Sequence, residues 1–345
     1  MILPIMVIFR LNEKILIELL SMYMYRMNTM ELLKNARPDA KESTLKQYIS
    51  QLNKIQKKFE TDDWGFLDNP EDVKSKLSDL HYTSQRNVYN AITVLLMALN
   101  HDKSKDTLIE TYTKMRNELN ERYVKEQQSG VVSEKQKNNF ADKSEIETMI
   151  NALKMEIKKR KLKSLGSEKL TNSDRELLTV YTIYEMLIRL PTRNDMAGMV
   201  LVNKTILKKT HDDIQEKTNY LLMEKGKMSI ILNDYKTNKK YGQNVIEVPK
   251  ELEKIFRSFI RAVSRKPGDI LFKSSINKPL SRNGISQLLL KTSKNMIGKA
   301  VSTTMMRKSV VSEKFAVKNE EQEKMAKIMG HDVATQNLVY VKKTE

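Results

Sequence analysis

The sequence predicts a mainly α protein with a small antiparallel β-sheet, arranged as a helical domain followed by a mixed α/β domain. Three observations carry this expectation. Apolar residues recur at helical spacing through the first third of the chain, a polar stretch separates that third from the rest, and short strand-like runs cluster between 199 and 249. At 345 residues, with 40% hydrophobic and 30% charged side chains, the chain is long enough for two cores.

The helical elements follow in order. TLKQ reads as a capping box with Thr44 as N-cap and Gln47 reaching back. Leu45, Tyr48, Ile49, Leu52, Ile55 and Phe59 then form one apolar stripe. Asn69-Pro70 opens a second helix with proline at its favoured first position. A third runs from about Ser84 through VYNAITVLLMAL, the most apolar stretch of this half, and a fourth carries Leu108, Tyr112, Met115, Leu119 and Tyr123. Tyr48, Tyr89, Tyr112 and Tyr123 fall on these stripes, which assigns them to packing.

KEQQSGVVSEKQKNNFADK, between Lys125 and Lys143, has no apolar stripe and reads as an exposed linker. Ser144 with Glu147 then reads as a second capping box, restarting a helix. The expected organisation is an N-terminal helical extension over 1–29, a helical domain over 30–125, a linker over 126–143 and a second domain over 144–345. In the second domain a helix is expected from Asp174 to Leu190. Strands are expected at 199–202, 219–224, 227–236 and 244–249, with turns at Lys225-Gly226 and TNKKYGQ. Helices return at 250–264, about 281–297, and from 301 onward.

Net charge is +18, a field that attracts polyanions, of which nucleic acid is the commonest. Charge alone also fits a ribosomal, membrane-surface or merely solubilising role. The absence of cysteine excludes disulfides, thiolate zinc sites and cysteine nucleophiles, and points to an intracellular, reducing compartment. Four scattered histidines, His81, His101, His211 and His331, make no ligand spacing, so no metal is expected. MILPIMVIF is too short to span a membrane and lacks the flanks of a secretory signal. It reads as the start of a helix on the first domain, or as an extension ahead of a natural start at Met27 or Met30.

GHDVATQNLVY, from Gly330 to Tyr340, raises the question of what stands beside its tyrosine. A phenol, with an ordinary pKa of about 10, becomes a nucleophile only when it loses its proton and its target's charge is stabilised. A phosphodiester suits that need, because guanidinium groups grip its non-bridging oxygens and stabilise the extra transition-state charge. The chain offers matching cations. Arg193 lies in LPTRNDMAGM, where Pro191 breaks a helix. Arg307 lies in STTMMRKSVVSEKF, on a helix otherwise apolar on one side, a costly place for a cation without an anionic partner. Lys236 lies in NDYKTNKKYGQ, at an expected hairpin tip, and His331 follows Gly330.

This order of Arg193, hairpin Lys236, helical Arg307, Gly-His331 and Tyr340 nine residues later resembles the tyrosine recombinase (phage integrase) family over nearly the whole chain. MAKIMGHDVATQNLVY is similar to that family's terminal box, and YKT to its lysine box; the phrasing looks most like integrases of large DNA viruses and associated mobile elements. The resemblance implies a helical core-binding domain followed by a catalytic domain. By that resemblance Tyr340 attacks the scissile phosphate to form a 3′-phosphotyrosine and release a 5′-hydroxyl. Arg193 and Arg307 clamp the phosphate, Lys236 protonates the leaving oxygen, and His331 bonds the phosphate or assists Tyr340. Bond energy is kept in the ester, so no cofactor is implied; the partners are double-stranded DNA and further copies of the chain, a tetramer on DNA.

Three departures stand out. Thr304 occupies a position where the family usually carries His or Lys, and a threonine can donate to phosphate but not act as a general base; Lys308 beside Arg307 could compensate. The family's acidic residue falls at Met196, with Asp195 one step earlier. Only VKKTE follows Tyr340, too little for the C-terminal helix that many relatives pass to a neighbour. Lys41, Lys46 and Arg86 are candidate phosphate contacts in the first domain, and Lys239 and Lys240 at the hairpin tip. IKKRKLK (157–163) reads as a solvated or DNA-facing helix end, or as a nuclear targeting patch. The rival readings are a type IB topoisomerase, which uses the same chemistry without pairing two duplexes, and a DNA-binding protein with a decayed site. A host nucleus, a viral factory and a prokaryotic cytoplasm all fit.

Overall fold

The computed structural model describes residues 29–128, 138–274 and 277–311, with Gln322 and Val333 as isolated positions. The chain divides into two compact units between Val131 and Val132. It is mainly helical with one four-stranded sheet.

The first unit is all helical among its described residues. Helix α1 covers 29–36, α2 is Glu42–Phe59, α3 is Pro70–Lys76, α4 is Tyr82–Leu99 and α5 is Asp106–Gln128. The N-cap of helix α2 is Lys41, three residues before the expected Thr44, and no side chain caps it; Thr44 is already inside the first turn, its N–H bonded to Lys41 O at 2.8 Å. Asn69 caps α3 through Asp72 N–H, with Pro70 at the first position as expected. Leu45, Leu52 and Ile55 from α2, Ile92 and Leu95 from α4, and Tyr112 from α5 form one buried core. Tyr112 is fully enclosed and donates from its hydroxyl to Leu67 O at 2.9 Å, the partner a buried phenol requires. Burial also pushes its pKa well above the ordinary range.

In the second unit α6 is Lys143–Lys159 and α7 is Asn172–Arg189. Asp142, not Ser144, caps α6; its carboxylate accepts from Glu145 N–H at 2.8 Å while Glu145 reaches back to Asp142 N–H at 3.1 Å. Ala141 is fully buried and Asn139 accepts from Ala300 N–H at 3.0 Å, so residues 139–142 already pack into this unit. A second box, Thr171 with Asp174, starts α7.

The sheet runs β1 Val200–Asn203, β2 Tyr220–Glu224, β3 Lys227–Leu232 and β4 Asn244–Glu247 in that spatial order. It is mixed where an antiparallel sheet was expected: β1 pairs parallel to β2, with Leu201 opposite Leu221. Two short helices, α8 Lys204–Lys209 and α9 Asp212–Gln215, carry the chain back between them, the kind of crossover a parallel pair requires. β2–β3 and β3–β4 are antiparallel. Lys225-Gly226 makes the two-residue turn, and Gly226 supplies its φ of 81°. The β3–β4 connection holds α10 Asn238–Tyr241.

Helix α11 Lys250–Ala262, α12 Arg282–Ile297 and α13 over 303–311 complete the described unit. Its core gathers Ile183 and Tyr184 of α7, Leu221 and Ile230 of the sheet, Phe256 of α11 and Leu289 of α12. Tyr184 donates to Leu289 O at 2.7 Å, tying α7 to α12. Those contacts fix the ends of α7, α12 and β3 against one another, and the candidate site lies there.

Candidate functional site: a two-arginine cleft

Helix α7 stops because Pro191 has no N–H to continue it; the last cap is Leu190 N–H to Met186 O at 2.7 Å. After Thr192, Arg193 is in extended backbone and precedes a short 3-10 turn, Asn194–Met196. That turn is pinned at both ends. Met196 is fully buried, and the Asn194 side-chain amide donates to Arg282 O at 2.9 Å and Ser286 Oγ at 2.7 Å on α12. Arg193 stands exposed beside a turn that burial and two hydrogen bonds tie down.

Arg307 lies on α13 beside the buried Met305 and Met306. One of its terminal nitrogens donates to Thr304 Oγ at 3.2 Å. Its Nε–H is buried with no partner among the described residues, as is the Thr192 hydroxyl. Burial, then the nearby charge of Arg193, hold the Arg307 guanidinium below its ordinary pKa, with Asp195 opposing. Two cations are therefore held close with a donor left over, and a bound anion would relieve both costs.

Arg193 and Arg307 line one side of a cleft of about 510 Å³, together with Thr192 and Asp195; Tyr235 and Thr237 of the β3–β4 connection line another. Lys236 lies between those two residues but is exposed and does not itself line the cleft. Strand β3 also ends earlier than expected, at Leu232 instead of 236. The cause is Asn219, whose side-chain oxygen takes the N–H groups of Asn233 and Asp234 at 2.8 and 2.9 Å and so removes them from the ladder.

Three residues that the sequence pattern did not assign hold this arrangement. Asp195 is buried, and burial raises its pKa; Arg282, Arg193 and Arg307 pull the other way. Arg282 reaches Asp195 Oδ1 at 3.7 Å and Asp234 Oδ2 at 3.1 Å. Asn219, 5% exposed, donates to Asp195 O at 2.8 Å and to Asp234 O at 2.9 Å. The only sequence signal was chemical: an amide opening an otherwise apolar strand, and an arginine opening a helix, where the macrodipole disfavours a cation.

The remaining candidates are scattered. Lys239 and Lys240 are exposed on α10, with Lys240 Nζ 5.1 Å from the Tyr241 ring centre. Lys308 is half-buried. In the first unit Lys41 is exposed and Lys46 pairs with Glu42 at 2.5 Å. Arg86 lies over the Tyr123 ring at 4.4 Å and donates to Asn120 at 3.2 Å. His331 and Tyr340 lie outside the described residues, as do residues 1–28 and 129–137. Among the described residues no group of three or more His, Cys, Asp or Glu side chains could hold a metal, and no helix is long and apolar enough to cross a membrane.

No protein-family model matches the chain, and no curated protein does. Among solved structures the chain is similar to the crystal structure of XerA recombinase, at 14% identity and a TM-score of 0.33, covering 93% of this chain and 94% of that one. A likeness of that degree carries no inference about this chain.

Proposed function

We propose that the chain is a site-specific DNA recombinase of the integrase type, which cleaves and rejoins strands through a 3′-phosphotyrosine at Tyr340. The observation that carries the reading is the pair Arg193 and Arg307 on one cleft, with Arg307 Nε buried and unpartnered. Two neighbouring guanidiniums with donors to spare suit a phosphodiester gaining charge. In the reaction the phenol oxygen of Tyr340 attacks phosphorus, its proton passing to His331 or solvent. The bond from phosphorus to the 5′-oxygen breaks, and that oxygen takes a proton from Lys236. Thr304 orients Arg307, and Lys308 adds positive charge on the same helix. A 5′-hydroxyl from a second duplex then attacks the phosphotyrosine, giving its proton to Lys236; the bond from phosphorus to the Tyr340 oxygen breaks and the phenolate is reprotonated by His331 or solvent. That is the step that would call for a tetramer on DNA and would integrate or excise a viral or mobile element.

The test is covalent capture without metal. Fragments of the source DNA that the immobilised protein captures by binding are sequenced and rebuilt as nicked duplexes, and each is incubated with the protein and denatured. An adduct that is lost in Tyr340→Phe and kept in Tyr235→Phe establishes the nucleophile; joining of two duplexes then separates recombinase from topoisomerase. One observation favours a second reading, a DNA-binding protein with a decayed site: Thr304 takes one of Arg307's donors and has no basic group. Binding to the captured DNA with no adduct would establish that reading.

A further inference from the structure

The geometry points to Arg282 and Asn219 as positioning residues that tie the loop carrying Lys236 to the separately pinned loop carrying Arg193, so that one strut sets where the proton donor stands relative to the phosphate clamp. The inference rests on the proposed strand-transfer reading.

The two loops are far apart in sequence and share little backbone pairing. Asn219 joins them through all four of its hydrogen-bonding positions. Its amide donates to Asp195 O and Asp234 O at 2.8 and 2.9 Å, and its oxygen accepts from Asn233 and Asp234 N–H at 2.8 and 2.9 Å. Arg282 adds a charged tie across the same gap, to Asp195 Oδ1 at 3.7 Å, Asp234 Oδ2 at 3.1 Å and Asp234 O at 3.1 Å. Asp195 is next but one to Arg193, and Asp234 is next but one to Lys236. Asn194 closes the frame by bonding the main chain of Arg282 itself. Neither residue lines the cleft, so both act through what they hold. A fully bonded buried amide is rigid, and an ångström of misplacement at a reacting group can cost about 10²-fold in rate.

The test uses the leaving group. A 5′-bridging sulfur in place of oxygen leaves as a thiolate, a far weaker base than the alkoxide it replaces; it needs no donated proton. Full-length protein and the variants Arg282→Met, Arg282→Lys, Asn219→Asp, Lys236→Ala and Arg307→Ala are compared on nicked duplexes rebuilt from the captured DNA, with oxygen or sulfur at the bridge. On oxygen, Arg282→Met and Lys236→Ala are expected to cleave about 10²-fold more slowly than wild type. On sulfur both recover to within a few-fold, and Arg307→Ala stays slow on both. Arg282→Lys, which keeps the charge but not the fork, recovers in the same way if Arg282→Met is too unstable to read, and Asn219→Asp, which loses both donors, checks the strut independently. Recovery of Lys236→Ala alone, with the Arg282 and Asn219 variants equally slow on both bridges or as fast as wild type, overturns the strut and leaves the strand-transfer reading standing. No adduct from wild type on either bridge overturns both.

Discussion

Arg307 keeps its charge in surroundings that disfavour it, with a buried Nε–H unpartnered among the described residues and a second arginine nearby. Such a group weakens the unliganded fold and strengthens a bound anion. Arg307→Ala is therefore expected to lower cleavage by about 10²–10³-fold, the usual loss of one preorganised donor, while the melting temperature stays level or rises. A large fall in stability with unchanged cleavage kinetics would assign Arg307 to the core instead. Asp195 gives a pH dependence with a definite sign. Its folded pKa is raised by burial, so the folded state binds a proton more readily than the unfolded chain does. The stability this contributes is fully present below about 3.9, the ordinary aspartate value, and is lost as pH rises through the raised folded value. Asp195→Asn, which cannot ionise, should gain stability relative to wild type as pH climbs through that window, and should cleave more slowly because Arg282 keeps only one of its two carboxylate partners, Asp234. Parallel melting curves at pH 3.5 and pH 7 with no change in the difference would remove Asp195 from this role. Arg193 and Arg307 were legible in the sequence because a proline break and an apolar helix face each made one arginine out of place. Arg282 and Asn219 were not, since what they do depends on partners from other elements, 48 residues away for Arg282 and Asp234.

At the scale of elements, periodicity located the helices and missed where some begin. Around α6 both Asp142 and Ser144 have a glutamate three positions on, so the composition fits two capping boxes a couple of residues apart. The earlier one forms. It adds Lys143 and Ser144 to the helix, and it places Glu145 where Lys299 can reach it at 2.6 Å, a tertiary contact no local pattern contains. Asp142→Ala should cost about 1 kcal/mol and Ser144→Ala a few tenths at most, read from denaturant midpoints at constant slope. The reverse order would restore the later cap. The sheet repeats the lesson. Its strands were visible as apolar runs, because β2 and β3 are largely buried, but the pairing direction of β1 with β2 depends on α8 and α9, short helices to which the sequence pattern assigned no element. Where β3 ends was hidden for another reason: a side chain from the start of β2 competes for its backbone.

Across the whole molecule the formal charge of +18 makes a field that attracts polyanions, and says nothing of where one would bind. The neighbours of each cation divide the candidates. Lys46 already pairs with Glu42 at 2.5 Å, so a phosphate at that position must compete with a carboxylate. Lys239 and Lys240 sit exposed on α10 beside the cleft wall, with no ion pair among the described residues, and Lys240 lies over Tyr241. If the cleft receives duplex DNA, these two meet its backbone and each releases counterions on binding. The logarithm of the association constant should then fall linearly with the logarithm of salt concentration, and changing one phosphate-contacting lysine should flatten the slope by about 1. The double variant Lys239→Ala/Lys240→Ala is expected to flatten it by about 2, with an equal effect on every DNA sequence because backbone contacts carry no sequence information. Lys46→Ala should change the slope less than either single variant. Titrations on the captured duplex and on an unrelated one of equal length, at several salt concentrations, separate the cases. A slope untouched by the α10 changes would place the DNA backbone elsewhere and detach the cleft from the charge that the composition advertises.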